Sequence, residues 1–201
     1  MTITVQTFDR LDDAAAALAS EPSARFFGGG TLLMRAVNEG DPSVSTLLRT
    51  TDSGFRQIRP TGSRIEIGGG VTMADILATH ELAFLHPAAR AVGGPAVRNM
   101  ASVGGNLFAP APYGDLATAL LALDATVTLA GGHSGRETPL EEVIANRDRG
   151  RTGIVASVSV VRPTTADAFR FLKVSRVKPG RLPVITIAAH LPLSGGRVQG
   201  A

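Results

Sequence analysis

Two triple-glycine segments, each placed between a strand pattern and a helix pattern, constrain the fold most strongly. They occur in the stretches ARFFGGGTLLMRAV and RIEIGGGVTMADIL. In the second stretch Ile65 and Ile67 alternate as in a strand. Thr72 followed by Asp75 predicts a capping box at the start of a helix. Glycine is typical of such turns because it adopts backbone angles that other residues avoid. Similar strand and helix patterns alternate along the chain, so we expect an α+β or α/β fold in which helices pack on sheets.

The composition is that of a globular chain without cysteine chemistry. Hydrophobic residues make up 44% of the 201 residues, which is enough for a packed core. Since the chain has no cysteine, it has no disulfide, no thiolate metal site and no iron–sulfur ligand of its own. Its arginines are scattered and its formal net charge is +3, so we expect no nucleic-acid partner. No run approaches the roughly 18 apolar residues of a membrane span, and no signal-peptide pattern opens the chain, so we expect a cytoplasmic protein without a membrane span.

Three glycine-rich segments are candidates for ligand binding: GGGTLL at 28–33, GGG at 68–70 and SVGGN at 102–106. Backbone N–H groups at a glycine-rich turn can converge on phosphate oxygens. For the first segment, a phosphate site and a plain structural turn are equally good interpretations, whereas a structural turn is favoured for 68–70. The third offers hydroxyl, amide and glycine N–H groups without adding charge, which suits a large anionic ligand. The spacing matches neither GxGxxG nor GxxxxGK(S/T), which excludes the common Rossmann and P-loop sites.

The familiar catalytic constellations are missing from the sequence. The four histidines lie far apart without metal-binding spacing, so structural or solvated roles are favoured for His80, His86, His133 and His190. Asp115, in APYGDLA, is either the N-cap of a helix or a general base. If the chain takes part in a reaction, a bound organic cofactor is therefore the most economical explanation.

Four stretches together carry a family resemblance. They are FFGGGTLLMRAV, IEIGGGVTMADIL, VGGPAVRNMASVGGNLFAPAPYGDLATALLALDATVTL and FLKVSRVKPGRLPVITIAAHL. In this order they resemble the FAD-binding medium subunit of molybdenum hydroxylases, the group of xanthine dehydrogenase and carbon monoxide dehydrogenase. The resemblance implies an α+β fold of the PCMH type, related to vanillyl-alcohol oxidase, in which FAD extends between two subdomains.

The same resemblance implies a division of the chain. Residues 1–164 form the FAD-binding domain, with an N-terminal α/β subdomain at 1–54 and a larger mixed subdomain at 55–164. Residues 165–201 form the incomplete start of a C-terminal domain. Its strand candidates should leave open sheet edges beside exposed apolar side chains, so we expect the isolated chain to aggregate or to need a companion polypeptide.

The resemblance also implies which residues bind the cofactor. The first set wraps the pyrophosphate and consists of Gly28, Gly29, Gly30, Thr31 and Leu32, where Leu32 replaces a residue that is commonly polar in the family. The second FAD segment consists of Ser102, Val103, Gly104, Gly105 and Asn106. Asp115 contacts the flavin, Lys173 lies near the isoalloxazine, and a strand valine, Val158 or Val160, touches the ring. Because neither FAD segment contains histidine or cysteine, we expect the FAD to be noncovalent.

The function implied by the resemblance is that of an electron-transfer subunit of an oxidoreductase. It would pass electrons from the [2Fe–2S] clusters of a small partner subunit through FAD to an external acceptor. The molybdenum cofactor would reside on a large partner subunit. Two alternatives stay open: a truncated or degenerate, flavin-free scaffolding paralogue, and a self-contained flavin oxidase, which is disfavoured because the sequence shows no substrate-binding domain.

Overall fold

The first part of the chain folds into a small parallel sheet flanked by helices. The computed structural model describes residues 2–110, 113–131, 136–147, 153–165, 168–175, 183–191, 193–194 and 197–198. The elements of the first part are β1 (Thr4–Phe8), α1 (Leu11–Ser20), β2 (Ala24–Phe26), α2 (Leu33–Asn38) and β3 (Thr46–Thr50). The three strands are parallel in the order β1-β3-β2. A 3-10 turn at Ser53–Arg56 leads out of this sheet.

The second part is a five-stranded antiparallel sheet covered by short helices. Its elements are β4 (Ile58–Thr61), β5 (Arg64–Gly68), α3 (Met73–Ala78), a 3-10 helix (His80–Leu85), α4 (His86–Ala91), α5 (Pro95–Arg98), α6 (Val103–Leu107), α7 (Asp115–Leu121), β6 (Thr126–Leu129), β7 (Glu137–Pro139), α8 (Leu140–Asn146) and β8 (Val155–Val161). The strand order is β4-β5-β8-β6-β7. Ile65 and Ile67 of β5, which the alternation pattern predicted to be buried in a strand, are fully buried against the helices.

The turn after β5 is a packed structural turn. The predicted capping box is present, since Thr72 Oγ1 accepts from the Asp75 N–H and the Asp75 carboxylate accepts from the Thr72 N–H. A Cβ at Gly69 would lie 2.0 Å from the carbonyl oxygen of Val155, and one at Gly70 would lie 2.4 Å from the Phe55 ring. Only glycine therefore fits here, in agreement with the structural interpretation favoured for 68–70.

A hairpin follows the second sheet and packs onto its helices. It consists of β9 (Phe169–Ser175) and β10 (Pro183–His190), which pair antiparallel, and a second small pair, β11 (Leu193–Ser194) and β12 (Arg197–Val198), comes after it. The inner face of β9 and β10 packs against the core and contacts α4 and α7. The outer face leaves four apolar side chains exposed, namely Leu172, Val174, Ile185 and Ile187. The expected exposed apolar side chains are thus confirmed, although β10 does find a pairing partner in β9.

The described part of the chain contains no helix that combines the length and the apolarity needed to cross a bilayer. Within the same residues, no group of three or more histidine, aspartate or glutamate side chains is placed to hold a metal ion.

Candidate functional site

A cavity of about 850 Å³ lies where the first sheet, the second sheet and the hairpin meet. We call residues 28–32 the first glycine segment and residues 102–106 the second glycine segment. Both segments line the cavity, the first between β2 and α2 and the second around α6. Asp115 and Lys173 line it as well. The two glycine segments together with Asp115 and Lys173 comprise twelve residues that the resemblance assigned to the cofactor, and all of them except Val103 surround this one space.

The first glycine segment presents backbone donors that have no acceptor in the described part of the chain. The ladder of the first sheet ends where the Phe27 N–H donates to the Leu48 carbonyl, and α2 begins where the Met34 N–H donates to the Gly30 carbonyl. Between these two bonds, the N–H groups of residues 28–32 make no hydrogen bond to any described residue. Gly30 has a φ of +71°, which turns the chain at this point. These five consecutive donors are available to a ligand in the cavity.

The two glycine segments touch each other directly. A Cβ at Gly29 would lie 1.8 Å from the carbonyl oxygen of Met100, and one at Gly28 would lie 3.0 Å from Ser102 Oγ. The backbone of Gly29 therefore packs on the chain that leads into α6, and a side chain there would separate the two segments. This contact places the Ser102 hydroxyl beside the free N–H groups of the first segment.

The second glycine segment differs from the loop expected from its sequence. It forms the short helix α6 with Ser102 as its N-cap, and Ser102 Oγ accepts from the Gly105 N–H at 3.3 Å. The Gly104 N–H donates to the Gly69 carbonyl at 2.8 Å. The expectation that both glycine N–H groups are free for a ligand is therefore wrong. Gly105 is exposed to solvent and lines the cavity, so its lack of a side chain leaves space for a ligand.

Val103 and both candidates for the ring-contacting strand valine lie in the hydrophobic core. Val103, Val158 and Val160 are fully buried in the core, and the cavity lining does not include them. Val103 opens α6 and its N–H donates to the Val71 carbonyl, which turns its side chain into the core. Val158 and Val160 pack in the core of the second sheet, and Val155 of the same strand lines the cavity in their place. The structure therefore does not bring these three side chains to the cavity lining.

At one end of the cavity, Asp115 and Lys173 form a buried ion pair. Lys173 Nζ lies 2.7 Å from Asp115 Oδ2 and donates to the Ala91 carbonyl at 3.1 Å. The two side chains are 17% and 6% exposed. The other carboxylate oxygen, Asp115 Oδ1, is buried and has no hydrogen-bond partner in the described part of the chain. A buried carboxylate oxygen without a donor is costly, so this atom is suited to accept from a ligand.

The helix-cap interpretation of Asp115 is wrong. The N-cap of α7 is Gly114, whose φ is +102°. Asp115 is the first helical residue, and no side-chain capping hydrogen bond is made at this helix end by the N-cap residue. The backbone donors of this helix end are satisfied from elsewhere: Asn106 Oδ1 accepts from the N–H groups of Leu116 at 3.1 Å and of Ala117 at 3.2 Å.

Sequence reasoning missed the apolar end of the cavity. Phe26 and Phe55 line it and pack edge to face, with ring centroids 5.6 Å apart and planes at 82°. Ile154 lines the same end, and Tyr113 lies next to Gly114. In the sequence, the position of Phe26, two residues before the first glycine segment, could have indicated that this phenylalanine lines the same site.

None of the described histidines lines the cavity. Nε2 of His86 lies within hydrogen-bond distance of the carbonyl oxygens of Ile76 and Thr79, so it donates at the end of α3 in a structural role. His133 falls outside the described residues.

Comparison with known proteins identifies the family. The family model of the FAD binding domain in molybdopterin dehydrogenase matches residues 2–163. The FAD-subunit of nicotinate dehydrogenase from Eubacterium barkeri is 29% identical over 170 residues, which cover 78% of this chain and 57% of the relative. The chain therefore spans little more than half the length of that relative.

Solved structures share the fold. A carbon monoxide dehydrogenase from Hydrogenophaga pseudoflava superimposes with a TM-score of 0.86 at 21% identity, covering 100% of this chain and 72% of that one. Quinoline 2-oxidoreductase from Pseudomonas putida 86 gives a TM-score of 0.83 at 21% identity, covering 98% and 71%. These likenesses confirm the predicted α+β fold of the PCMH type. The match over most of its length shows that the chain belongs to the FAD-binding domain family of molybdopterin dehydrogenases, a family of oxidoreductases.

Proposed function

We propose that this chain binds FAD noncovalently and serves as the electron-transfer subunit of a molybdenum hydroxylase. The observation that carries the proposal is that residues 28–32, whose five N–H groups have no acceptor among the described residues, line the same cavity as Asp115, whose Oδ1 has no donor there. FAD consists of two ring systems joined by a diphosphate. The cavity combines backbone donors suited to phosphates with the Asp115–Lys173 pair and the apolar side chains of Phe26, Phe55 and Ile154, so it offers a contact for each part of FAD.

The diphosphate would be held by neutral donors. Phosphate oxygens accept readily from backbone N–H groups that converge at a glycine-rich turn. The N–H groups of residues 28–32 supply such donors, and the Ser102 hydroxyl beside Gly28 supplies another. Gly105, which lies beside Ser102, leaves room for the ligand at this point.

The two ring systems would occupy the two ends of the cavity. The isoalloxazine carries an imide N–H, for which Asp115 Oδ1 is an unpaired acceptor. Lys173 holds the other carboxylate oxygen and so keeps Asp115 in place at this end. Phe26, Phe55 and Ile154 offer an apolar wall at the other end, which suits the adenine.

When bound, FAD supplies the capacity to accept and donate electrons, which the side chains of this protein lack. This chain binds and orients it. Having no cysteine, it cannot ligate an iron–sulfur cluster, so the proposed [2Fe–2S] clusters belong to a small partner subunit and the molybdenum cofactor to a large one. The relation to the FAD-subunit of nicotinate dehydrogenase supports such a division of labour. The cytoplasmic location stays a prediction.

The proposed division of the chain follows its two sheets. The FAD-binding domain extends over 1–164, with subdomains at 1–54 and 55–164, and 165–201 belongs to a C-terminal domain. In support, the strands of the first sheet lie between Thr4 and Thr50, and those of the second between Ile58 and Val161. Lys173 of the hairpin nonetheless reaches the site, so the third part would complete the cofactor cavity.

Acid precipitation of the purified chain tests the noncovalent binding of FAD. We expect a flavin absorption spectrum before precipitation and all of the flavin in the supernatant afterwards, because the described cavity lining contains no histidine and the chain no cysteine for covalent attachment. Flavin in the pellet would contradict noncovalent binding. A colourless protein that takes up no added FAD would favour the flavin-free scaffolding alternative.

Purification from the native host tests the partners. We expect two further subunits to accompany the chain, with iron and molybdenum in the complex but none in the chain after the subunits are separated. Recovery of the chain without either subunit would contradict the proposed complex.

A further inference from the structure

The Asn106 side chain connects the second glycine segment to a helix to which it does not belong. Asn106 belongs to α6, and its Oδ1 accepts from the backbone N–H groups of Leu116 and Ala117 at the start of α7. We propose that Asn106 is a positioning residue that caps α7 across the chain and thereby holds Asp115 at the ring end of the cavity. This proposal rests on the proposed function, since it gives Asp115 a cofactor to meet.

Helix α7 needs an external acceptor because its own N-cap has none. The first N–H groups of a helix lack intrahelical partners and are usually satisfied by the side chain of the N-cap residue. Here the N-cap is Gly114, in the left-handed region with a φ of +102°, and it has no side chain. Leu116 and Ala117 are both buried, so water does not replace the missing cap. Asn106, only 7% exposed, supplies the acceptor for both donors.

The base from which Asn106 reaches α7 is itself fixed. The Val103 N–H donates to the Val71 carbonyl and the Gly104 N–H to the Gly69 carbonyl, at 2.8 Å each. These bonds tie α6 to the packed turn after β5. Asp115 directly precedes the two residues that Asn106 holds. The distance between the cofactor space at Gly105 and the unpaired Asp115 Oδ1 therefore depends on the Asn106 carboxamide.

A direct role for Asn106 is the competing interpretation. Its Nδ2 makes no hydrogen bond to a described residue, and Asn106 lines the cavity. If the residue acted only by donating from Nδ2 to the cofactor, removal of Oδ1 would be irrelevant. The two roles use different atoms of the same side chain, and this makes them separable by substitution.

Two variants of the full chain test the proposal. Asn106→Leu removes both polar atoms of the side chain. Asn106→Asp keeps an acceptor oxygen and replaces the Nδ2 donor. The readouts are amide hydrogen exchange at Leu116 and Ala117, with Ile76 of α3 as the internal reference, and the dissociation constant for added FAD. In Asn106→Leu we expect exchange at both amides to accelerate about fivefold or more, the usual effect of losing a cap, and FAD binding to weaken. In Asn106→Asp we expect exchange near that of wild type and FAD binding stronger than in Asn106→Leu.

The outcomes separate this proposal from the proposed function. Unchanged exchange at Leu116 and Ala117 in Asn106→Leu, or FAD binding in Asn106→Asp as weak as in Asn106→Leu, would overturn the positioning role. If Asn106→Leu does not fold, Asn106→Asp decides alone, and accelerated exchange at both amides in that variant would overturn the role as well. A wild-type chain that binds no FAD would contradict the proposed function, while the exchange data would still decide whether Asn106 caps α7.

Discussion

At the scale of single residues, glycines with different surroundings should respond differently to the same substitution. A Cβ at Gly105 would meet only Ser102 Oγ, at 3.0 Å, and would otherwise project from an exposed position that lines the cavity. We expect Gly105→Val to lose FAD binding and to keep its fold, because the added side chain occupies the space of the ligand. Titration with FAD and circular dichroism measure the two effects. Because Gly105 has no positive φ, backbone strain does not contribute to this effect.

Gly94 provides the matched control for this substitution. Nothing lies within 4 Å of a Cβ at Gly94, and its φ of −89° is open to any residue. Gly94→Val should therefore bind FAD like the wild type. Equal FAD binding by the Gly105 and Gly94 variants would contradict the placement of the ligand beside the second glycine segment.

The Asp115 carboxylate should contribute directly to FAD affinity. We expect Asp115→Ala to weaken FAD binding by about 1–3 kcal/mol, the range for a lost hydrogen bond to a charged group. Asp115→Asn should weaken it less, because an amide oxygen can still accept. Fluorescence titration of both variants gives the dissociation constants. Wild-type affinity in Asp115→Ala would show that Oδ1 receives no hydrogen bond from the cofactor.

Matching motifs to a family places residues in a segment, but it does not say which way each side chain points. The first glycine segment, Asp115 and Lys173 were all located from the sequence, and the structure brings them to one cavity. Val103 and Val158 were misplaced because the neighbours of a motif residue on a helix or strand can face the core. Phe55 lies in another part of the chain, and no local pattern links it to the glycines.

At the scale of secondary-structure elements, Lys173 anchors the hairpin to α7. Without its ammonium group, neither oxygen of the buried Asp115 carboxylate has a hydrogen-bond partner among the described residues. Since a charge left unpaired by removal of its partner is strongly destabilising, we expect Lys173→Met to lower the free energy of unfolding by about 3–5 kcal/mol. Urea denaturation measures this change.

Two further variants control the Lys173 measurement. Adding Asp115→Asn to Lys173→Met should recover part of the loss, because no buried charge remains. Val174→Met changes the next residue of β9, which is exposed on the outer face, and should stay within about 0.5 kcal/mol of the wild type. A loss in Val174→Met as large as in Lys173→Met would show that β9 is sensitive to any substitution and that the ion pair is unimportant.

The pairing of β4 with β5 should depend weakly on pH. Arg59 lies opposite Glu66, its guanidinium donates to the Glu66 carboxylate at 3.1 Å, and this hydrogen bond lowers the pKa of Glu66 from its ordinary value. A lowered folded-state pKa stabilises the fold above the unfolded pKa, and this contribution is lost as the pH falls through the folded pKa. Because the pair is largely exposed, we expect Glu66→Gln to cost about 0.2–1 kcal/mol at pH 7. Urea denaturation in acid should show the difference shrinking, and a difference that is constant with pH would contradict the ion-pair account.

Local signals predicted some elements well and failed where distant contacts decide. The capping box of α3 and the alternation of Ile65 and Ile67 in β5 are local signals in the sequence, and the structure contains both. The helix α6 was not predicted because two adjacent glycines have low helix propensity. It forms because Gly69 and Val71, far away in the sequence, accept its first N–H groups.

At the scale of the whole molecule, the outer face of the hairpin should govern association. Leu172 lies opposite Ile187, and both are about half exposed. Exposed apolar surface on a sheet with open edges promotes contact with other chains. We therefore expect the isolated chain to self-associate in size-exclusion chromatography with light scattering. The cross-strand pair Leu172→Glu and Ile187→Lys, which leaves the net charge unchanged, should reduce the association, and a monodisperse wild-type monomer would contradict this expectation.

The overall architecture could be inferred from sequence only through the family resemblance. Alternating strand and helix patterns left α+β and α/β both open. The strand order β4-β5-β8-β6-β7 joins residues far apart in the chain, and no local period encodes such pairing. The same is true of the antiparallel pairing of β9 with β10, two strand candidates for which the sequence predicted only open sheet edges.

A parallel titration of the flavin-free full chain with FAD and with FMN tests the central claim most directly. FMN carries the same isoalloxazine but lacks the adenylate and therefore the diphosphate, so it cannot use the donors at 28–32 and the apolar end at Phe26 together. We predict one FAD bound per chain, at least about tenfold weaker binding of FMN, which corresponds to about 1.4 kcal/mol, and loss of FAD binding in Gly105→Val. Equal affinity for FAD and FMN, or no binding of FAD, would contradict the claim that this cavity is built for the dinucleotide.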